Sequence, residues 1–388
     1  MAFFPLLTPS TIGVKLSLGR DHQLYAAHRK PITGSVSRDG NLTKQRDCWR
    51  MGNIVRLTGM GVALAVSIML AAGTVYEAIA RRISAREFPP PGELAEIGGR
   101  RIHIDCHGSG WPTVILEAGA DTSGSTLWYP IVQTVSETTR VCAYDRAGLM
   151  WSDPGPLPRD GEAIIADLQK TLEVAKERGP YVMVGASLGG PIVMLYTKRH
   201  PTDVVGVVLV DSAHPDQIKR LEAASGIEDD PAPLLFRAIA ALSWTGLPRL
   251  LLPAPELPEL PDHVAAEVAA YQIPSLQAAL DEVVAMPATL QQAGTFRDLD
   301  DRPLAVLSHG KKWSDYTKDQ QASAGMSREQ FERREDAWAK MQEEQAAWSR
   351  DSTHQTLRDS SHVVQLERPD AVINAVNEVV AKVRRRQQ

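Results

Sequence analysis

Cysteine is scarce in this chain. Cys48, Cys106 and Cys142 are the only three in 388 residues, and they lack the spacing of metal ligands. No metal site and no cofactor is read from the sequence. An excess of one charge is also missing: 42 Lys and Arg stand against 47 Asp and Glu, for a net charge of −5 with both signs mixed along the chain. Nothing there suggests nucleic acid as a partner. There is no internal repeat. What remains is an ordinary globular composition, 43% apolar, long enough for one large domain or two modest ones.

One segment departs from that ordinary composition. Leu57 to Tyr76 carries no charged residue and is dense in Val, Ala, Leu, Ile, Met and Gly. Twenty helical residues rise about 30 Å, the thickness of a bilayer core. Arg50 and Arg56 precede the run; Arg81, Arg82 and Arg86 follow it. The segment 54–80 therefore reads as a transmembrane signal anchor. A buried core helix is one alternative. A cleaved signal peptide is another, with Ala78-Ile79-Ala80 as its small-x-small site. Lys44, Arg46, Arg50 and Arg56 place the N-terminus in the cytoplasm and the bulk of the chain outside, in a periplasmic or cell-surface setting. Residues 1–50 show no sustained periodicity and are expected to be poorly ordered, and Met51 offers an alternative start. Phe88-Pro89-Pro90-Pro91-Gly92 reads as a stiff spacer holding the following domain off the membrane.

Downstream, short apolar runs alternate with helical patterns. Leu94 to Ile97 and Arg101 to Cys106, joined by Gly98-Gly99, predict a hairpin. Thr113 to Leu116, Val141 to Tyr144, Tyr181 to Val184, Val204 to Val210 and Pro303 to Leu307 predict strands. Helical spacing covers Glu162 to Glu177 and a last segment from Pro369 to about Val383. Such alternation predicts a mostly parallel sheet covered on both faces. Between Asp216 and Arg302 lies an insertion rich in Pro, Leu and Ala, with helical patches at Leu234 to Leu242 and His263 to Tyr271, expected to form a lid over the strand ends. Lys318 to Trp348 is highly charged, with Phe331, Trp338, Met341 and Trp348 at roughly helical spacing, and reads as an amphipathic helix over the sheet edge or lid.

The most informative stretch is Gly185-Ala186-Ser187-Leu188-Gly189, set between the apolar run ending at Val184 and a helix starting near Gly190. A serine on a sharp strand-to-helix turn is pushed out at the top of a sheet with its hydroxyl exposed. Glycines two residues to either side keep side chains out of the bend. Leu188 would offer its backbone N–H at a helix N-terminus, where a developing oxyanion is stabilised. The plain alternative is a structural glycine-rich turn.

With these pieces in place the chain resembles the α/β-hydrolase superfamily over roughly residues 88–385. It looks most like bacterial membrane-linked hydrolases with a PPGE-x-x-x-x-GG-R opening, here Pro90-Pro91-Gly92-Glu93 followed by Gly98-Gly99-Arg100. Tyr144-Asp145-Arg146-Ala147-Gly148, continuing to Ser152-Asp153-Pro154, is similar to the superfamily's loop after its fourth strand. The resemblance implies an eight-stranded, mostly parallel sheet with a helical cap inserted after strand 6. It also implies a nucleophile, acid and base in the order Ser, Asp or Glu, His.

Ser187 is the nucleophile in that scheme. His309, His354 and His362 are the late histidines, and His362, in the polar loop before the final helix, stands where the superfamily places its base; His309 would shape the floor of the site. For the acid, the usual slot is filled by Trp313. Asp211, at the end of the preceding strand, is the first choice and Asp315 the alternative. The second oxyanion donor should follow the strand at Val114 to Leu116. There Glu117-Ala118-Gly119-Ala120-Asp121 replaces the family's His-Gly, and the Ala120 amide is the candidate. Cys106 and Cys142 should meet at one end of adjacent strands, as a disulfide or as two buried thiols.

The expected function is a serine hydrolase of a small-molecule carboxylic ester, working through an acyl-enzyme. Amidase, lactonase and acyltransferase activity remain open within the fold, as does a catalytically silent binding protein. Epoxide hydrolases and dehalogenases share the fold but use aspartate where this chain has Ser187.

Overall fold

Valine-rich runs build the centre of the fold. A β-branched residue fits an extended, doubly covered strand, and Val204–Val210 (VVGVVLV) has no polar side chain to place in water. The structure, a computed structural model, describes residues 39–228 and 230–387. Eight strands form one sheet: β1 Glu93–Glu96, β2 Arg101–His107, β3 Thr113–Glu117, β4 Val141–Tyr144, β5 Tyr181–Ala186, β6 Val204–Val210, β7 Leu304–His309 and β8 Ser352–Leu357. Their order is β1-β2-β4-β3-β5-β6-β7-β8. Strands β1, β2 and β4 pair antiparallel, and every pairing from β4 through β8 is parallel.

Side chains alternate across this sheet and meet a different layer on each face. Ile115, Met183, Leu209 and Val306 face one core, which takes in α3 (Gly161–Val174) and α4 (Gly189–Arg199). Val114, Val184, Val208 and Leu307 face the other, packed by α2 (Tyr129–Val135) and the last helix. That period of two is what a parallel sheet buried on both faces requires. Gly206 lets the last helix come close: a Cβ there would lie 2.6 Å from Val379 Cγ1.

Helix α1 runs unbroken from Asp39 to Glu87. It contains the apolar run, whose best stretch has mean hydropathy 2.0 and is not covered by the rest of the protein. By length and composition α1 can cross a membrane. Residues 1–38 of the segment expected to be irregular lie outside the described residues, whereas 39–50 are helical. No proline occurs between Pro31 and Pro89, so nothing removes a backbone donor upstream of the apolar run. The spacer expectation is also corrected. Phe88 O accepts from Trp151 Nε1 at 2.9 Å and from Tyr271 OH at 3.0 Å, so this stretch is pinned to the domain.

The insertion between β6 and β7 is helical: α5 Gln217–Ser225, α6 Leu234–Ala241, α7 Leu247–Leu251 and α8 Asp262–Ala293. Helix α8 far exceeds the patch predicted at His263 to Tyr271, because it passes through Pro274 and Pro287 without stopping. Tertiary burial of Ile273, Leu276, Val283 and Leu290 in the first core outweighs the missing donors. After β7 come α9 Lys318–Ser323 and α10 Arg328–Ala346, then α11 Val364–Glu367 and α12 Pro369–Arg386. The single helix expected over Lys318 to Trp348 is thus divided near Gly325, which has φ +66.

Cys106 and Cys142 sit opposite each other in the β2–β4 ladder and form a disulfide. Of the two open alternatives, the bonded one is present.

Candidate active site

Three strand ends converge at the carboxyl edge of the sheet, where open α/β sheets carry their sites. After β5 the chain turns at Ser187 with φ +50, a left-handed conformation rare outside glycine. The turn is tight. A Cβ on Gly185 would lie 2.5 Å from Gly189 O, and one on Gly189 would lie 2.4 Å from Glu117 O. Neither position can hold a side chain, so the glycine spacing is a steric requirement. Helix α4 starts directly afterwards, and Ser187 keeps part of its surface open.

His362 bridges to that serine. Its Nε2 lies 2.9 Å from Ser187 Oγ, and its Nδ1 lies 2.5 Å from Asp211 Oδ2. Asp211 follows β6 at φ +43 and is fully buried. Four donors converge on its carboxylate. Oδ1 accepts from the His309 amide at 3.1 Å and Trp338 Nε1 at 2.9 Å; Oδ2 accepts from the rings of His309, at 2.6 Å, and His362. Burial alone would raise this acid. The charge and hydrogen bond of His309, with those of His362, instead hold it far below the ordinary carboxylate range.

His309 therefore does more than line a floor. Its Nε2 reaches Glu335 Oε2 at 2.6 Å, so the ring lies between two carboxylates. Burial disfavours its charged form, but Asp211 first and Glu335 second push it up to about 10. Glu335 and Trp338 both come from α10. The sequence reading gave that helix only a covering role; in the structure its inner face completes the shell around the acid. The signal lay in the amphipathic spacing, but periodicity alone could not say what the face would touch. Gln342 and Gln345 of α10 also donate to Ser212 O and Ala213 O, fixing the backbone just after Asp211.

The other candidates lie elsewhere. Asp315 is exposed, and its carboxylate accepts from the Lys312 amide at 2.8 Å, closing a short turn. His354, on β8, bonds Ser308 Oγ at 2.7 Å. Leu188 is buried at the start of α4 and Ala120 is buried in the loop after β3. Among the described residues, no hydrogen bond from either amide to another protein group is present.

The loop carrying Ala120 is held by a network with no counterpart in the sequence reading. Arg146, fully buried, donates to Glu117 Oε1 at 2.7 Å, Ala118 O at 2.7 Å and Gly119 O at 2.6 Å. Its other face clamps Glu282 of α8 at 2.7 and 2.8 Å. One guanidinium, with its planar fork of donors, thereby ties the loop after β3 to the cap. Gly119 would place a Cβ 3.3 Å from Ser187 Cβ, so the loop passes directly beside the serine. Asp121 accepts from the Ser123 and Gly124 amides at 2.7 and 2.9 Å. Burial outweighs those bonds and the nearby Arg146, raising Asp121 to about 6.

Asp211, His309 and His362 also offer ligand atoms close enough together to hold a metal ion. Both ring nitrogens of both histidines are, however, engaged in direct hydrogen bonds to Ser187, Asp211 or Glu335. The arrangement is suited to proton transfer: an imidazole at hydrogen-bond distance from a hydroxyl, oriented by a buried carboxylate.

An eight-stranded α/β sheet with a serine on a strand-to-helix turn at its carboxyl edge defines a class of hydrolase-like folds. The profile of the alpha/beta hydrolase family matches residues 106–375, and the chain belongs to that family. It is similar to the uncharacterized protein YqjL of Bacillus subtilis, 32% identical over 106 residues, spanning 27% of this chain and 42% of that protein. The chain covers less than two thirds of the length of the curated relatives it first matches. Among solved structures, it is similar to a thermophilic esterase from Thermogutta terrifontis (TM-score 0.50, 16% identity, 75% of this chain and 97% of that one). It is also similar to an enol-lactonase from Burkholderia xenovorans LB400 (TM-score 0.51, 19% identity, 74% and 100%). At such identities these likenesses speak for the fold.

Proposed function

We propose that the protein is a serine hydrolase acting on a small-molecule carboxylic ester. The observation that carries this reading is the unbroken chain of hydrogen bonds from Ser187 through His362 to Asp211. In the proposed reaction His362 takes the Ser187 proton, Ser187 Oγ attacks the ester carbonyl carbon, and the Leu188 and Ala120 amides hold the oxyanion. His362 then returns the proton to the leaving alcohol, giving an acyl-serine that water hydrolyses by the same route. Asp211 orients the ring and stabilises its charged form. Each backbone donor of this kind contributes about 10²–10³ in rate.

We further propose that α1 anchors the chain through residues 54–80, with the sheet domain of residues 88–385 outside the cytoplasm. The exposed apolar face of α1 supports this, as does the Cys106–Cys142 disulfide, which belongs to an oxidising compartment.

The test is covalent labelling of the full chain with a fluorophosphonate probe. Labelling at Ser187, lost in Ser187→Ala and in His362→Ala, is the expected result. A chain that stays unlabelled while folded would mean a silent pocket. A series of p-nitrophenyl esters of increasing acyl length then reads the substrate preference.

A further inference from the structure

The cap carries an apolar surface that the proposed chemistry does not use. Leu234 and Leu235 of α6, Trp244 in the turn that follows, and Leu247, Leu250 and Leu251 of α7 all face outward, with Leu234 81% and Leu250 68% exposed. From Pro231 to Pro255 there is no acidic residue. Of the two cations in that stretch, Arg249 is turned inward and clamps Glu77, while Arg237 is exposed and its Nε donates to Ala232 O of the same segment. A single exposed leucine is unremarkable, but a gathered apolar patch marks an interaction surface.

What lies beside the patch identifies its partner. The end of the apolar run in α1 packs onto the same cap segment, backbone against backbone. A Cβ on Gly73 would lie 2.1 Å from Thr245 O, and one on Gly246 would lie 2.8 Å from Tyr76 Cδ1 and 3.0 Å from Gly73 O. One turn further on, Glu77 is only 2% exposed and holds Arg249 at 2.8 and 3.0 Å. Ser84 then reaches Ala270 O of α8. The uncharged run of α1 thus ends at the level of Trp244 to Gly246. Tyr76 and Trp244 stand at that level, as aromatic side chains do at a membrane–water boundary.

We infer that the cap face from Leu234 to Leu251 is embedded in the bilayer leaflet at which α1 emerges, so that the domain lies in the membrane surface. An apolar face seated at the headgroup and acyl boundary is how a protein lies on a membrane without crossing it. Helix α8 links the α1 contact to the surroundings of the catalytic residues. Val264 of α8 packs with Leu127 and Leu366, beside the loop after β3 and the loop of His362. Ala270, where α1 docks, is six residues along the same helix, a rise of about 9 Å.

This inference rests on the reading of α1 as a membrane span, and the experiment separates the two. In a Cys48→Ser background of the full chain, an environment-sensitive dye is attached in turn at L64C on α1, L234C and L250C on the cap, and E173C on α3. Each protein is reconstituted in phosphatidylcholine–phosphatidylglycerol vesicles with and without a shallow spin-labelled lipid. Quenching at Leu234 or Leu250 comparable with that at Leu64, and none at Glu173, is the expected result. Quenching at Leu64 with both cap positions behaving like Glu173 overturns the inference and leaves the anchor standing. A Leu64 dye that reports water overturns both.

Discussion

Replacing Asp211 by asparagine tests the geometry of the site most directly. The carboxylate accepts four hydrogen bonds, two at each oxygen: the His309 amide and Trp338 at Oδ1, the His309 and His362 rings at Oδ2. An amide of the same shape has one acceptor end and one donor end. Whichever way it turns, two of the four donors face an NH₂ group. Two lost charge-assisted hydrogen bonds at about 1.5–3 kcal/mol each give a destabilisation of about 3–6 kcal/mol. The amide can relieve one clash if His362 moves its proton to Nε2, but that ring then donates to Ser187 and no longer serves as a base. Activity on a p-nitrophenyl ester should fall by about 10³–10⁴. The assays are kcat/KM and urea unfolding on the same preparations, with Asp315→Asn in parallel. Asp315 only caps an exposed turn, so its variant should keep nearly native activity. An Asp211→Asn protein within tenfold of native activity, beside an inactive Asp315→Asn protein, would refute the argument.

Other outcomes follow from particular contacts. Asp121 titrates at about 6, above its ordinary 3.8, so the folded state holds the proton more tightly than the unfolded state and stability falls as pH rises between those values. Asp121→Asn retains an acceptor for the Ser123 and Gly124 amides and should lose that fall, which urea midpoints from pH 4 to pH 8 will read. Gly185→Ala forces a Cβ to 2.5 Å from Gly189 O, and because backbone cannot swing aside it should destabilise by about 1–3 kcal/mol and abolish probe labelling at Ser187. Cys106→Ser with Cys142→Ser opens a loop spanning 36 residues, a loss of about 4 kcal/mol by chain entropy. Peptide mapping under non-reducing conditions should find both cysteines protected from alkylation, and both alkylated would contradict the pairing.

Much of this molecule is written in local pattern. Gly-x-Ser-x-Gly after an apolar run could be read because the bend demands small residues at fixed offsets from the serine, a rule involving only neighbours in the chain. Valine-rich β5 and β6 and the proline opening α12 were legible for the same reason. Strand β8 was not, since Ser352–Leu357 (STHQTL) is a polar edge strand with little apolar face to show. Nor was the length of α8, whose prolines argue for a stop that burial overrides.

What only the tertiary structure decided is who meets whom. Asp211, at the end of a strand, was the first choice of acid and Asp315 the alternative, but position along the chain could not show which of them reaches His362. The fold brings Asp211 to His362 because β6 and β7 are neighbours in the sheet, which sets the end of β6 beside His309 and beneath the loop of His362. Helix α10 then contributes Glu335 and Trp338 from more than a hundred residues downstream of that acid. Local sterics operate over a few residues and leave their mark on the chain. A buried charge is satisfied by whatever packing brings within about 3 Å, and that distance exists only once the sheet and its helices have closed around it.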